Sequence, residues 1–172
     1  FTDKREVLFS GSKALESILV DSIANAPKRA APLAVVTAAF EAAGAALQDR
    51  RELRFVRARR ELIAQHTELL ERELVKLASL AAVVTKALHA RGVSEPMASM
   101  AAEAGVAIFK IGFECWLSTK PPQTFAEHIR AASQSLTAIA ARKTTPKTKP
   151  KKPMAQTTPM AQRRPSSKAR AK

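Results

Sequence analysis

The chain has 172 residues, of which 29 are Lys or Arg and 15 are Asp or Glu, giving a formal net charge of +14. No apolar run in the sequence approaches the roughly 18 residues that a membrane span requires, so we expect no membrane partner. The single cysteine, Cys115, excludes an internal disulfide and fits a reducing cytoplasm.

The first predicted helix runs from Asp3 to Asn25. Its start has a capping arrangement, because the Asp3 carboxylate can accept from the backbone N–H of Glu6 while Glu6 reaches back to the N–H of Asp3. Lys4 then lies on the first turn, beside free backbone N–H groups that carry partial positive charge. A lysine beside such amides favours the binding of a phosphate group.

Three further helices are predicted over Pro32–Gln48, Arg50–Gln65 and Thr67–Arg91. The first of these is almost entirely apolar, which predicts that protein surrounds it. The second carries six arginines, which we interpret as a solvated face offset by Glu52 and Glu61, with a surface that faces DNA or an acidic partner as the alternative. The third has one apolar seam, and Gly92 supplies the left-handed residue that ends it. The seam consists of Leu70, Leu74, Leu77, Ala81, Val84 and Leu88.

The fifth predicted helix, Glu95–Leu117, is mostly apolar or small. Gly105 and Gly112 are seven residues apart and mark a face that another helix can approach closely, although each glycine costs about 1 kcal/mol in a helix. The polar side chains fall on one narrow stripe at 100° per residue. We therefore expect this helix to be covered on two sides. The stripe consists of Ser99, Glu103, Lys110 and Glu114.

The sixth predicted helix, Phe125–Ala141, follows Pro121 and Pro122, which break the chain. Thr124 and Glu127 have the spacing of a capping box at its start. Its apolar positions repeat at alternating spacings of four and three, which is typical of a helix that packs along another helix.

The order Phe1-x-x-Lys4-x-x-Val7-Leu8-Phe9 resembles the joint that follows the recognition helix in the tetracycline-repressor (TetR) family of bacterial regulators. The number of helices also agrees with the regulatory body of that family. The resemblance implies an all-α fold, an orthogonal bundle of about six helices over residues 1–141. Residues 1–25 would link this body to a DNA-reading helix-turn-helix before Phe1. Lys4 would contact the DNA backbone and position the protein without selecting sequence.

The resemblance also implies a homodimer, since the last two helices of that family pair with the same two helices of a second subunit. Here those helices are Glu95–Leu117 and Phe125–Ala141. The residues assigned to this interface are Gly105, Ile108, Gly112, Phe125, Ile129, Ala132, Leu136 and Ile139.

A regulator of this type is expected to be a repressor that a small-molecule effector releases from its operator, because the effector favours one shape of the dimer. The aromatic side chains favour an apolar or aromatic effector. The alternative is that the aromatic residues are ordinary core, and that His66 caps a helix or is solvated. The residues assigned to the effector pocket are Phe40, Phe55, His66, Phe109, Phe113 and Trp116.

Residues 142–172 have a different composition. They contain 11 basic and no acidic residues, and no Leu, Ile, Val or aromatic residue with which to build a core. We therefore expect a disordered tail that attracts nucleic acid phosphates without sequence preference, with simple solubilisation as the alternative. The residues assigned to this contact are Lys147, Lys149, Lys151, Lys152, Arg163 and Arg164.

Enzymatic activity, metals and cofactors are not expected. Gly11-Ser12-Lys13 lacks the upstream glycine of a phosphate-binding loop, and the three histidines do not have the spacing of a zinc site. The competing function is that of a dimeric, nucleoid-associated helical protein that binds nucleic acid through its tail. Both functions place the chain in the cytoplasm, at the nucleoid. An upstream coding sequence without a helix-turn-helix would contradict the regulator.

Overall fold

The computed structural model describes residues 11–120 and 123–141, which form six helices and contain no strand. The predicted all-α fold is confirmed for these residues. The predicted helix start at Asp3 with its Glu6 contact, Lys4, and the tail over residues 142–172 lie outside the described residues. The helices are α1 (Ser12–Asn25), α2 (Pro32–Arg50), α3 (Leu53–Gln65), α4 (Thr67–Ala90), α5 (Met97–Ser118) and α6 (Phe125–Ala141).

Two helix boundaries follow directly from local sequence signals. Gly92 has a φ of +84°, its N–H donates to the His89 carbonyl at 2.8 Å, and the Val93 N–H donates to the Leu88 carbonyl at 3.1 Å. This pair of bonds is a Schellman motif, and it ends α4 as predicted. At the start of α2, Pro32 occupies an early position where its missing N–H costs nothing.

The predicted capping box at the start of α6 is also present. The Thr124 N–H donates to Glu127 Oε2 at 2.7 Å, and the Glu127 N–H donates back to Thr124 Oγ1 at 3.2 Å. The backbone N–H of Thr124, and then its hydroxyl, lower the pKa of the Glu127 carboxyl below its ordinary value of 4.5. The carboxylate therefore satisfies an N–H group that the helix itself leaves free.

Helix α2 is the centre of the fold, as its apolar sequence predicts. It packs against α1, α5 and α6, and Val36, Ala39, Phe40 and Ala43 are fully buried. Its polar Thr37 is also buried, where its hydroxyl lies 3.0 Å from the hydroxyl of Ser133 on α6. Burial of a hydroxyl is tolerated because this partner replaces water.

Helix α5 approaches both α2 and α6 at its glycines. A Cβ atom on Gly105 would overlap the side chain of Val36 and lie 2.8 Å from the Phe40 ring. A Cβ atom on Gly112 would lie 2.9 Å from the backbone nitrogen of Ile129. The predicted close approach is therefore present, and both approaching helices belong to the same chain.

These contacts correct the role predicted for five dimer residues. They are buried within the single chain, because α5 and α6 use these positions to pack on each other and on α2. Ala132 and Leu136 pack partly against the same core, and only Ile139, which is 67% exposed, is freely accessible. The five buried residues are Gly105, Ile108, Gly112, Phe125 and Ile129.

The apolar seam of α4 is buried over half of its length. Ala81, Val84 and Leu88 lie in the core, whereas Leu70 is 42% exposed and Leu74 is 53% exposed. The repeat alone predicts one continuous contact. The N-terminal half of the seam is more exposed because the described neighbours of α4 cover its C-terminal half.

Arg91 joins the end of α4 to the end of α1. Its guanidinium donates to the carbonyls of Ile23 at 2.7 Å, Ala26 at 2.9 Å and Pro27 at 2.8 Å, with a longer contact to Ala24. Carbonyl groups at a helix C-terminus lack partners within the helix and carry partial negative charge. One cation thus stabilises the C-terminal end of α1.

We expect Gly105→Ala to destabilise the fold by about 1–3 kcal/mol, because the added methyl group overpacks the contact with α2. The better helix propensity of alanine, about 1 kcal/mol, offsets only part of this loss. Urea unfolding measures the change. The control is Ala58→Leu, an addition at an exposed position of α3. Equal stability of the Gly105→Ala variant and the parent would contradict the close contact.

Replacing Arg91 with alanine should cost about 2 kcal/mol, since the α1 carbonyls lose a charged donor. The measurement is again urea unfolding. Arg72→Ala removes an equal charge from an exposed position of the same helix and should change stability by less than about 0.5 kcal/mol. A similar effect of the two substitutions would show that Arg91 acts only through net charge.

The capping carboxylate predicts a pH dependence. Because the pKa of Glu127 is lowered in the folded state, its contribution is fully present above the ordinary value of 4.5 and is lost as the pH falls through the folded-state pKa. Glu127→Gln should therefore be less stable than the parent at pH 7, and the difference should vanish in acid. Thermal unfolding between pH 7 and pH 3 tests this. A difference that persists unchanged in acid would contradict the role of the charge.

Candidate functional site

The residues assigned to an effector pocket do not line one shared cavity. Phe40, Phe109 and Trp116 are buried, and Phe113 is half-buried beside them. Phe125 completes the group, with ring centroids 5.0 Å from Trp116 and 5.2 Å from Phe109. Such offset and tilted contacts are those of a filled core. For these four aromatic residues the core alternative describes the observed packing.

The two remaining pocket residues are on the surface. Phe55 is 59% exposed, with the Arg54 guanidinium 4.8 Å above its ring centroid. His66 is exposed at the junction of α3 and α4, where its carbonyl accepts from the N–H groups of Leu69 and Leu70, both at 3.0 Å. The junction is therefore formed by the backbone of His66.

The arginines of α3 mostly contact the chain itself. Arg57 donates to the carbonyl of Leu117 at 2.9 Å, at the C-terminal end of α5. Arg60 pairs with Glu114 at 2.6 Å, and Arg59 pairs with Glu73 at 2.9 Å. These contacts favour the interpretation of a face offset by glutamates over that of a DNA-facing surface, although Glu73 and Glu114 take the place of the predicted Glu61. They fasten α3 to α4 and α5.

Helix α5 presents an apolar stripe to solvent. Met97, Met100 and Ile111 are 55%, 68% and 57% exposed. They share one side of the helix with part-buried Ala104 and exposed Ala107 and Cys115, since these residues follow each other at spacings of three and four. Large exposed apolar residues grouped on one helix face are typical of a binding surface.

A groove of about 450 Å³ lies between α4 and α5. Its apolar part consists of alanines, whose short side chains leave the space open, and its polar part includes one lysine, one glutamate and one histidine. None of the six residues assigned to the pocket lines it. The lining residues are Ala78, Ala81, Ala82, Thr85, Lys86, His89, Ser99 and Glu103.

A hydrogen-bonded network borders one end of this groove. Glu95 accepts from the Ser99 hydroxyl at 2.7 Å and lies 2.9 Å from His89 Nε2. The Ser99 hydroxyl, and then His89, lower the pKa of the Glu95 carboxyl, so this carboxylate is ionised at neutral pH. Glu103 lies one turn further along α5. The groove therefore combines two carboxylates with Lys86.

Sequence reasoning did not identify the groove. Its α4 residues, Ala78, Ala81, Ala82 and Thr85, form a small-residue stripe at helical spacing, which is the signal that could have indicated it. Lys4 and the six basic tail residues assigned to nucleic acid lie outside the described residues.

Two comparisons with known proteins found no match to this chain. The sequence matches no protein-family model and no curated protein. Among the described helices, none is both long and apolar enough to cross a membrane.

Proposed function

We propose that this chain is the sensing and dimerising body of a TetR-type transcriptional regulator. The observation that carries the proposal is the exposed apolar stripe of α5, which lies on the next-to-last helix. The resemblance of Phe1 to Phe9 and the order of the six helices support it. In such a regulator a second copy of the chain covers this stripe.

The proposed dimer differs in one respect from the interface expected from sequence. The glycine face of α5 packs inside the chain, so the second copy would contact the outer side of the helix, around Met100, Ala107 and Ile111. Ile139, the exposed apolar residue near the end of α6, would extend the contact. A symmetric pairing of these two helices would give the four-helix interface of the family.

The proposed effector is a small apolar or aromatic molecule, and the proposed output is release from an operator. The aromatic rings of α2, α5 and α6 are closely packed, with half-buried Phe113 at the accessible edge of the cluster. An effector at this edge would separate rings that now touch, and would thereby change how α5 lies against α6. Since those helices would also form the dimer, binding would shift the spacing of the two DNA-reading heads.

The dimer is tested by Met100→Glu combined with Ile111→Glu. The parent chain should sediment as a dimer and this variant as a monomer, because two charges would be buried at the interface. The variant should keep its helical circular dichroism, since both residues are exposed in the single chain.

The control for this experiment is Lys110→Glu, which changes a charge on the polar stripe of the same helix. It should sediment as the parent does. A parent chain that is monomeric at high micromolar concentration, or an unchanged mass of the double variant, would contradict the proposed interface. Substitution of Gly105 and Gly112, which the sequence assigned to the interface, would not test it, because both glycines lie in the core.

The second candidate function is that of a nucleoid-associated protein, and the charge of residues 142–172 favours it. It places all nucleic acid binding in the tail. Deletion of residues 142–172 distinguishes the two. If the protein that contains this chain keeps specific operator binding after the deletion, the regulator is supported, and loss of all DNA binding supports the alternative.

A further inference from the structure

We propose that the basic tail over residues 142–172 docks on its own chain, in the groove between α4 and α5. The docked tail would hold its lysines away from nucleic acid. The contact goes beyond the proposed regulator and does not depend on it, because it requires only the groove, the tail and the path between them.

The end of α6 places the tail close to the groove. Helices α5 and α6 are antiparallel, because Gly112 meets Ile129 while Trp116 meets Phe125. Ala141 lies twelve residues after Ile129, and Met100 lies twelve residues before Gly112. At 1.5 Å per residue both distances are about 18 Å, so the tail leaves α6 beside the first turns of α5.

The tail is long enough to reach the groove from that point. Ser99 and Glu103 lie on the side of α5 opposite Gly112, so the tail must pass halfway round the helix. A helix of about 10–12 Å diameter requires a path of roughly 16–19 Å, which five or six extended residues span. Residues 142–146 would cover it, crossing α5 at its first turn beside exposed Met97. Lys147 to Lys152 would then lie over the groove.

Charge complementarity selects the tail as the occupant. Glu103 lines the groove, and Glu95 borders it in contact with His89 and Ser99, so two carboxylates lie there against the ammonium of Lys86 in a chain whose net charge is +14. Residues 147–152 carry four lysines and no acidic residue. The alanines of the groove have no side chain beyond Cβ, so the backbone around Pro150 can approach closely.

Tethering makes such a contact effective although each ion pair is weak. Exposed ion pairs contribute little individually, and salt screens them. A connection of only a few residues nevertheless gives the tail an effective concentration of about millimolar order at the groove. Lysines that pair with Glu95 and Glu103 cannot contact phosphates at the same time, so the docked tail competes with nucleic acid.

Paramagnetic broadening in the full 172-residue chain tests the docking. A nitroxide label is attached after Thr148→Cys in a Cys115→Ser background, which preserves every tail lysine. At low salt we expect selective broadening of the amide signals of Thr85, Ser99 and Glu103. Broadening should be lost at about 0.5 M salt. It should also be lost in Glu95→Gln with Glu103→Gln, and should increase in Lys86→Glu.

The matched control is Glu61→Gln with Glu71→Gln, which removes two exposed carboxylates away from the groove. This variant should keep the broadening. Absence of broadening at low salt, or broadening that the groove and control pairs reduce equally, would overturn the docking. Circular dichroism of each variant establishes that it is folded.

A second measurement tests the competition with nucleic acid. On a short duplex of random sequence at low salt, Glu95→Gln with Glu103→Gln should bind roughly threefold more tightly than the control pair of equal net charge. Equal affinities of the two pairs would overturn the competition. Sedimentation of the same samples reports the proposed dimer separately, so failure of one proposal is distinguishable from failure of the other.

Discussion

The fold depends on how closely α5 approaches its neighbours at Gly105 and Gly112. Neither position has room for a Cβ atom, because Phe40 lies against one and the backbone of Ile129 lies against the other. This approach brings the rings of Phe109 and Trp116 onto Phe40 and Phe125. The conformational cost of two helical glycines is thus offset by an aromatic core that α2, α5 and α6 share. Because these rings fill the space between the helices, the surface and the groove between α4 and α5 are the places where the described residues can bind a partner without rearrangement.

The same approach determines which side of α5 remains outside. With the glycine face turned inward, the helix keeps a charged stripe and an apolar stripe that includes Met100 and Ile111. The apolar stripe is what the proposed dimer would bury. The opposite edge of the helix borders the groove, where Ser99, Glu95 and His89 form one network. One helix therefore connects the core, the proposed dimer surface and the groove, so a change in its packing would alter all three.

Positive charge has two different roles in this chain. Arg57 and Arg60 on α3, and Arg91 at the end of α4, bind carbonyls or carboxylates of neighbouring helices and stabilise the body. The segment after Ala141 contains 11 basic and no acidic residues, and it carries most of the net charge. A helical body with nearly balanced charge and a strongly basic tail can therefore respond to salt in the tail while the body stays folded. The proposed docking in the groove would link the two.

The sequence by itself determined the described helices and most of their ends, because these depend on neighbours within a few residues. One exception is Arg50, which was predicted to begin α3 but is the last residue of α2. Gly92 ends α4, Thr124 and Glu127 begin α6, and the apolar α2 is central, each as predicted. The tertiary structure alone decided what the buried faces touch. Periodicity indicates that another helix covers the face of Gly105 and Gly112. It does not indicate whether that helix belongs to the same chain or to a second chain, because both contacts require the same small residues. Likewise, residue type did not distinguish buried Phe40 from exposed Phe55. Burial depends on which helices pack around a side chain, and contacts between distant parts of the chain decide this packing.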